Sequence, residues 1–328
     1  MKKLFNLCLC VFVLFSLFGC GEGSNTDDGM TKIGVIQLAE HPALDQSYEG
    51  FMKALEDGGF VVDTNLKVDY KNAQGEVSNC ETIATKFVND KVDLMLAIAT
   101  NAAQACANAT DTIPVVLTAV TDPEHSGLVD SNALPGGNVT GTSDLTPVEA
   151  QIELLKDILP NAKTVAVLFN GAEDNSIIQA EMAKTAISKH GMTAKEVSIS
   201  ELNQIQSVVE SLVGKVDAIY IPTDNLLAEG MATVSMIANE NKIPTIVGEE
   251  GMCLNGGMAT YGLSYFNLGY KAGEMAVAIL NGESDPANMP IGYLPAEDCT
   301  LTINMETVRE LGITIPDSVM SKAVLMNE

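Results

Sequence analysis

The sequence predicts an α/β protein of two lobes, each a parallel sheet covered by helices on both faces, with a crevice between them. Three observations predict it. Short apolar runs alternate with helical stretches along most of the chain, a pattern that requires parallel strands joined by helical crossovers. The second half rewrites the first. Val92-Asp-Leu-Met-Leu-Ala-Ile-Ala-Thr100-Asn101, a helical stretch and Ile113-Pro114 recur about 124 residues later as Val216-Asp-Ala-Ile-Tyr-Ile-Pro-Thr-Asp224-Asn225, a helical stretch and Ile243-Pro244. Finally, 328 residues exceed what one compact core usually holds.

In the first unit Lys32–Leu38 reads as a strand, and Ala43–Asp57 carries apolar residues at helical spacing up to Gly58-Gly59. Strand Leu66–Tyr70, helix Glu76–Asn89, strand Asp93–Ala97, helix Asn101–Ala109 and strand Pro114–Leu117 follow. The second unit repeats the scheme with strand Thr164–Phe169, helix Asn175–His190, strand Thr193–Val197, helix Ile205–Gly214, strand Asp217–Ile221, helix Leu226–Asn241 and strand Thr245–Val247. Right-handed crossovers fix the winding of each. Between the units, Asn138–Asp144 is small and polar and suits a hinge strand. Met258–Leu263 and Ile291–Leu294 are candidates for a second and third crossing, with helix Phe266–Leu280 returning to the first lobe between them. The predicted lobes are therefore discontinuous: 31–140 with about 264–292, and 141–263 with about 293–328.

The N-terminus begins Met-Lys-Lys, continues with an apolar run from Leu4 to Phe18 that is short for a bilayer span, and reaches Gly19-Cys20. This describes a secretory signal. Leu17-Phe-Gly-Cys20 resembles the lipobox of bacterial lipoproteins, which implies that Cys20 becomes the mature N-terminus and carries lipid, holding the protein on the outer face of the cytoplasmic membrane. Residues 21–30 are too polar and small to build a core and read as a flexible tether. Loss of residues 1–19 removes Lys2 and Lys3 and takes the net charge from −25 to −27. Such a surface repels nucleic acid and anionic headgroups. Of the remaining cysteines, Cys80, Cys106, Cys253 and Cys299 have no metal-type spacing and read as small buried hydrophobes.

In open parallel sheets ligands bind beyond the carboxyl ends of the strands. The loops there are Gln37–Asp45 with His41, Ala99–Asn101, and Ala119–Pro123 with Thr121 and Asp122 in one lobe. In the other they are Asn170–Ser176 with Glu173 and Asn175, Pro222–Asn225, and Gly248–Gly251 with Glu249 and Glu250. The repeat aligns Thr100 with Asp224. Thr100 and the free N–H groups opening the Asn101 helix favour a carboxylate, whereas Asp224 and the Glu249-Glu250 pair favour an ammonium group. Each of these residues also has a bland reading, since Thr and Asp before helices are common N-caps. Asp45 and Asp174 read as caps.

Absences narrow the ligand. Arg309 is the only arginine and lies outside every crevice loop, so a site built for phosphate, sulfate or a dicarboxylate is disfavoured. There is no Trp, and Tyr220, Phe169, Tyr261 and Tyr265 suit an apolar wall or the core equally. His41, His125 and His190 are too dispersed for a metal site. No nucleophile elbow, phosphate-binding loop or dinucleotide turn is present, so binding without chemistry, cofactor or metal is expected.

Lys32-Ile-Gly-Val-Ile-Gln37, His41-Pro-Ala-Leu-Asp45, Tyr48-Glu-Gly-Phe51, Val120-Thr-Asp-Pro123, Asn138-Val-Thr-Gly141, Asn170 with Glu173 and Asn175-Ser176, and Pro222-Thr-Asp-Asn225 together resemble ABC transporter substrate-binding lipoproteins, in particular the group that includes tryptophan- and tyrosine-binding members. The resemblance covers nearly the whole mature chain. It implies a type I periplasmic-binding fold of two Rossmann-like lobes, three hinge strands, closure around ligand, and delivery to an ABC permease with a cytoplasmic ATPase. It also implies a ligand carboxylate near Thr100 and Thr121 and an amine near Asp224 and Glu250. The candidate ligand-binding residues are thus His41, Thr100, Asn101, Thr121, Asp122, Asn170, Glu173, Asn175, Asp224, Asn225 and Glu250. The expected ligand is an aromatic or other hydrophobic amino acid bound by a monomer. Asn101, Asn170 and Asn225 keep a nucleoside, purine or sugar open as an alternative, and a ligand-sensing subunit for a membrane receptor is the rival from another class.

Overall fold

The computed structural model describes residues 29–295 and 298–327. The expected signal segment, Cys20 and most of the expected tether lie outside them. Five parallel strands form the first sheet in the order β2-β1-β3-β4-β5: β1 (Thr31–Gln37), β2 (Leu66–Asn72), β3 (Leu94–Ile98), β4 (Val115–Val120) and β5 (Val139–Ser143). Helices α1 (Pro42–Asp57), α2 (Val77–Asp90) and α3 (Thr100–Ala109) make the crossovers. Strands β3, β4 and β5 are buried at every position, as expected where helices cover both faces.

The second lobe opens with α4 (Val148–Ile158), then β6 (Thr164–Asn170), α5 (Asp174–Lys189), β7 (Thr193–Ile199), α6 (Ile205–Leu212), β8 (Ala218–Ile221), α7 (Asn225–Glu229), α8 (Met231–Glu240), β9 (Thr245–Val247), α9 (Glu250–Leu254) and β10 (Ala259–Gly262). After α10 (Tyr265–Leu280) come β11 (Thr300–Asn304), α11 (Met305–Leu311), α12 (Asp317–Met320) and β12 (Val324–Met326). The seven strands are ordered β12-β11-β10-β9-β8-β6-β7. The run β7-β6-β8-β9 copies β2-β1-β3-β4, so the repeat read in the sequence is a repeat of strand order.

Three features depart from expectation. The second sheet is mixed, because β11 runs antiparallel to β10. Strand β10 heads out of the lobe toward α10, and the chain re-enters through β11 in the opposite sense. The single helix expected over 226–241 is two, broken at Gly230, where a side chain would collide with Ile205 of α6. Residues 291–294 form no strand; Gly292 makes one parallel bridge to Thr142 on β5. Strand β5 is thus braced by backbone at the point where the chain leaves the first sheet, through Gly292 N–H to Gly141 O and Ser143 N–H to Gly292 O, each about 2.8–2.9 Å.

Helix α10 returns to the first lobe and lies along α1. Gly50 and Gly269 let the two backbones touch, since a Cβ at either would overlap the other helix's carbonyl oxygens. Leu268, Ala272 and Ala276 join the core that contains Phe51, Phe87 and the β1–β5 strands. Two further clusters, around Tyr220 and around Met231, fill the two faces of the second sheet.

Candidate functional site

The carboxyl ends of the two sheets face each other across a crevice. At its hinge side His41, Leu44, Ala119 and Tyr265 of the first lobe meet Asn175, Thr223, Asp224, Asn225, Ala228 and Glu249 of the second, with Asp144 on the segment that joins them. Its outer side widens into a solvent-open cavity of about 750 Å3 lined by the loops after β1, β2 and β3 and those after β6, β7 and β8. The lobes touch directly. Gln104 Nε2 donates to Asp174 Oδ2 at 2.8 Å, and Gln179 Nε2 donates to Thr121 Oγ1 at 3.2 Å.

On the second lobe, two carboxylates serve the start of α7. Glu173 accepts from Asn170 Nδ2 (2.9 Å), Asn175 Nδ2 (3.0 Å), Asn225 N (3.2 Å), Asn225 Nδ2 (2.6 Å) and Leu226 N (3.3 Å). Asp224 is the N-cap, accepting from Leu227 N at 2.9 Å, and it also accepts from Asn170 N at 2.5 Å. Burial, and then the Glu173 charge, push the Asp224 carboxyl up from its ordinary value. Asn225 spends its amide nitrogen on Glu173, so its Oδ1 accepts from His41 Nε2 at 3.2 Å across the crevice. This tautomer leaves His41 Nδ1 as a bare acceptor, and Nδ1 has no partner among the described residues. Burial holds the His41 pKa below its usual value, which keeps the ring neutral.

At the hinge side, Asp144 Oδ1 accepts from Thr121 Oγ1 at 3.0 Å and Oδ2 from the Tyr265 hydroxyl at 2.8 Å. Glu249 caps α9 through Met252 N at 2.7 Å and Gly251 N. Burial pushes Glu249 up to about 7 and moves Asp144 in the same direction. Asp144, Glu173, Asp224 and Glu249 are all 2–4 % exposed. None of the ion pairs between described residues includes any of them.

The first lobe is finished differently. Ala99, ahead of α3, has φ 83° and ψ 157°, a region that belongs to glycine, and α3 has no side-chain cap. Ala119, at the end of β4, has φ 55°. The Thr100 hydroxyl is buried, and no hydrogen-bond partner is found for it among the described residues. Strain, an orphan hydroxyl and a helix start without a side-chain cap coincide at one crevice loop.

The structure therefore brings His41, Asn170, Glu173, Asn175, Asp224 and Asn225 into one network, with Thr121 joined to it through Gln179, which also donates to Thr223 Oγ1. Asn101 lines the outer cavity. Two expectations change. Asp122 turns away to hold its own loop, accepting from His125 N at 3.2 Å and Asn132 Nδ2 at 2.9 Å. Glu250 begins α9, and its neighbour Glu249 is the one lining the crevice, because Glu249 occupies the inward-turned cap position. Among the aromatics, Tyr220 and Phe169 are core, and only Tyr265 lines the inner crevice. Asp144 was not singled out in the sequence. Its partner Tyr265 is 121 positions away, and no local pattern marks it.

A family model for ABC transporter substrate binding proteins matches residues 32–326. The chain belongs to that family. Substrate-binding proteins of ABC systems are extracytoplasmic, and two lobes of type I periplasmic-binding architecture are the fold observed here. This substrate-binding protein is 43 % identical over 321 residues to a tyrosine-binding protein of Clostridioides difficile, covering 94 % of this chain and 92 % of the relative. It is similar to a Streptococcus pneumoniae ABC domain in complex with L-Trp, with 38 % identity, a TM-score of 0.86, and coverage of 90 % of this chain and 99 % of that one. A ligand-free, open substrate binding protein with adhesive properties from Clostridium difficile is 45 % identical but superposes with a TM-score of 0.69, again over 90 % and 99 % of the chains. The lobe arrangement here is thus nearer that of the L-Trp complex than that of the open form.

Proposed function

We propose that this substrate-binding protein captures an aromatic L-amino acid between its lobes and delivers it to an ABC permease driven by a cytoplasmic ATPase. One observation carries the reading. The crevice buries four carboxylates and leaves acceptor atoms such as His41 Nδ1 and Asn175 Oδ1 unpartnered, with no lysine or arginine lining its inner part. Buried carboxylates with no positive charge beside them are costly, so the set calls for a cationic, donor-rich group from the ligand. The α3 N-terminus with Thr100 is suited to the carboxylate of the same molecule. That the side chain is aromatic is supported by the tyrosine-binding and L-Trp-bound relatives. Ligand bridging both lobes shifts the population toward the closed form, and no covalent chemistry is involved. The protein is exported and held at the membrane through lipid on Cys20.

Calorimetric titration with the twenty amino acids, nucleosides and simple sugars tests the ligand. L-Tyrosine, L-tryptophan or L-phenylalanine should bind in the micromolar range or better; if no amino acid binds more tightly than about 1 mM, the reading is wrong. The anchor is tested separately, since Cys20→Ser should abolish fatty-acid labelling.

A further inference from the structure

The crevice carboxylates are not equivalent. An ionised carboxylate offers about four acceptor sites. Glu173 receives five N–H donors, which saturates it, and Asp224 receives two backbone N–H groups; all of these donors belong to the start of α7, the end of β6 or the start of α5. Both carboxylates hold the second lobe's own backbone turns together. Asp144 differs in place and in partners. It sits just after β5, on the segment that crosses between lobes, and its two donors, one per oxygen, are side-chain hydroxyls and not the backbone N–H groups of a helix start. Both hydroxyls come from the first lobe, Thr121 after β4 and Tyr265 at the start of α10. Glu249 of the second lobe lines the same cavity, and the Asp144 charge adds to the burial that raises its carboxyl.

Building on the amino-acid reading, we infer that Asp144 holds the ligand's ammonium group, with Glu249 as its counterpart across the crevice, and that Asp224 and Glu173 are scaffold. An ammonium group carries three donors, which the free acceptor sites left on Asp144 and on Glu249 can receive between them. The contact would bind the ligand to the crossing segment itself, so that its charge is read at the pivot of closure. It also moves the amine from Asp224, which the sequence reading grouped with the Glu249-Glu250 pair, to a residue that no crevice-loop pattern reveals.

The test crosses two variants with two ligands. Wild type, Asp144→Asn and Asp224→Asn are titrated with L-tyrosine and with 3-(4-hydroxyphenyl)propanoate, which keeps the ring and carboxylate but lacks the ammonium group. Asp144→Asn should weaken L-tyrosine by about 100-fold and leave the des-amino acid within about twofold. Asp224→Asn should lower the melting temperature and weaken both ligands alike. If Asp144→Asn weakens both ligands equally or neither, or if the selective loss appears in Asp224→Asn, the inference is overturned while the proposed function stands. If wild type binds no amino acid, the proposed function falls and this inference with it. Should the Asn variant not fold, Asp144→Ser enters the same comparison.

Discussion

The loops that follow β3 and β8 occupy equivalent places in the two units, yet they are finished in opposite ways. After β8, the α7 start has an N-cap, a second carboxylate and no evident strain. After β3, the α3 start has a strained alanine, no cap and a hydroxyl without a partner. The same β-strand-to-helix turn is closed in one lobe and left open in the other. A helix end buried without partners is costly, so the open one has the features of a place for a bound group. The closed one explains how two buried acids coexist in a crevice that must still fold.

The largest break in this contrast should come from Glu173→Ala. Removing it orphans several buried N–H groups at once and should cost about 3 kcal/mol or more in stability by denaturant titration. An unchanged stability would mean that Glu173 belongs to the ligand. The pH dependence comes next. Glu249 holds its proton up to about 7 in the folded protein, while an unfolded glutamate releases it near pH 4.3. Its contribution to stability is therefore full below about pH 4 and is withdrawn as pH rises toward 7. The melting temperature of the free protein should fall across that window, with Asp144 and Asp224 acting in the same sense. Amino-acid affinity should move the other way, rising with pH by up to about tenfold per unit for each proton displaced. Calorimetry in buffers of different ionisation enthalpy counts that proton.

Smaller effects sharpen the open side. Thr100→Val should weaken amino-acid binding about tenfold while leaving stability within about 0.5 kcal/mol, since a partnerless hydroxyl is replaced by a methyl of similar size. A loss of stability instead would make Thr100 a structural residue. Ala99→Gly should stabilise the fold by about 1 kcal/mol, because glycine accepts φ 83° without strain. A melting temperature unchanged or lowered would mean that the strain is absorbed elsewhere.

Most of the scaffold was readable because the apolar runs and the repeat both report strand order directly. What escaped has local causes. Helix α4 carries Val148, Ile152, Leu155 and Ile158 at helical spacing and was available to the same reasoning. The reversal at β11 depends on where the chain re-enters its sheet, a property of the whole path. In the site, the loops were legible from strand ends, and six of the candidate residues fall in one network. The division of labour among the acids was not legible. Whether Glu173 is saturated or Glu249 turns inward depends on hydrogen bonds between residues such as Glu173 and Asn225, 52 positions apart. Asp122 looked equivalent to its neighbour Thr121 until the Asn132 contact was seen.

The return of α10 to the first lobe also constrains when that lobe can form. Helix α10 lies against α1 and supplies Leu268, Ala272 and Ala276 to the first core. Synthesis and passage across a membrane both run from the N-terminus. The first core therefore lacks one of its covering layers until residue 280 has emerged. Strands β6 to β10 of the second lobe are made before the first core can close.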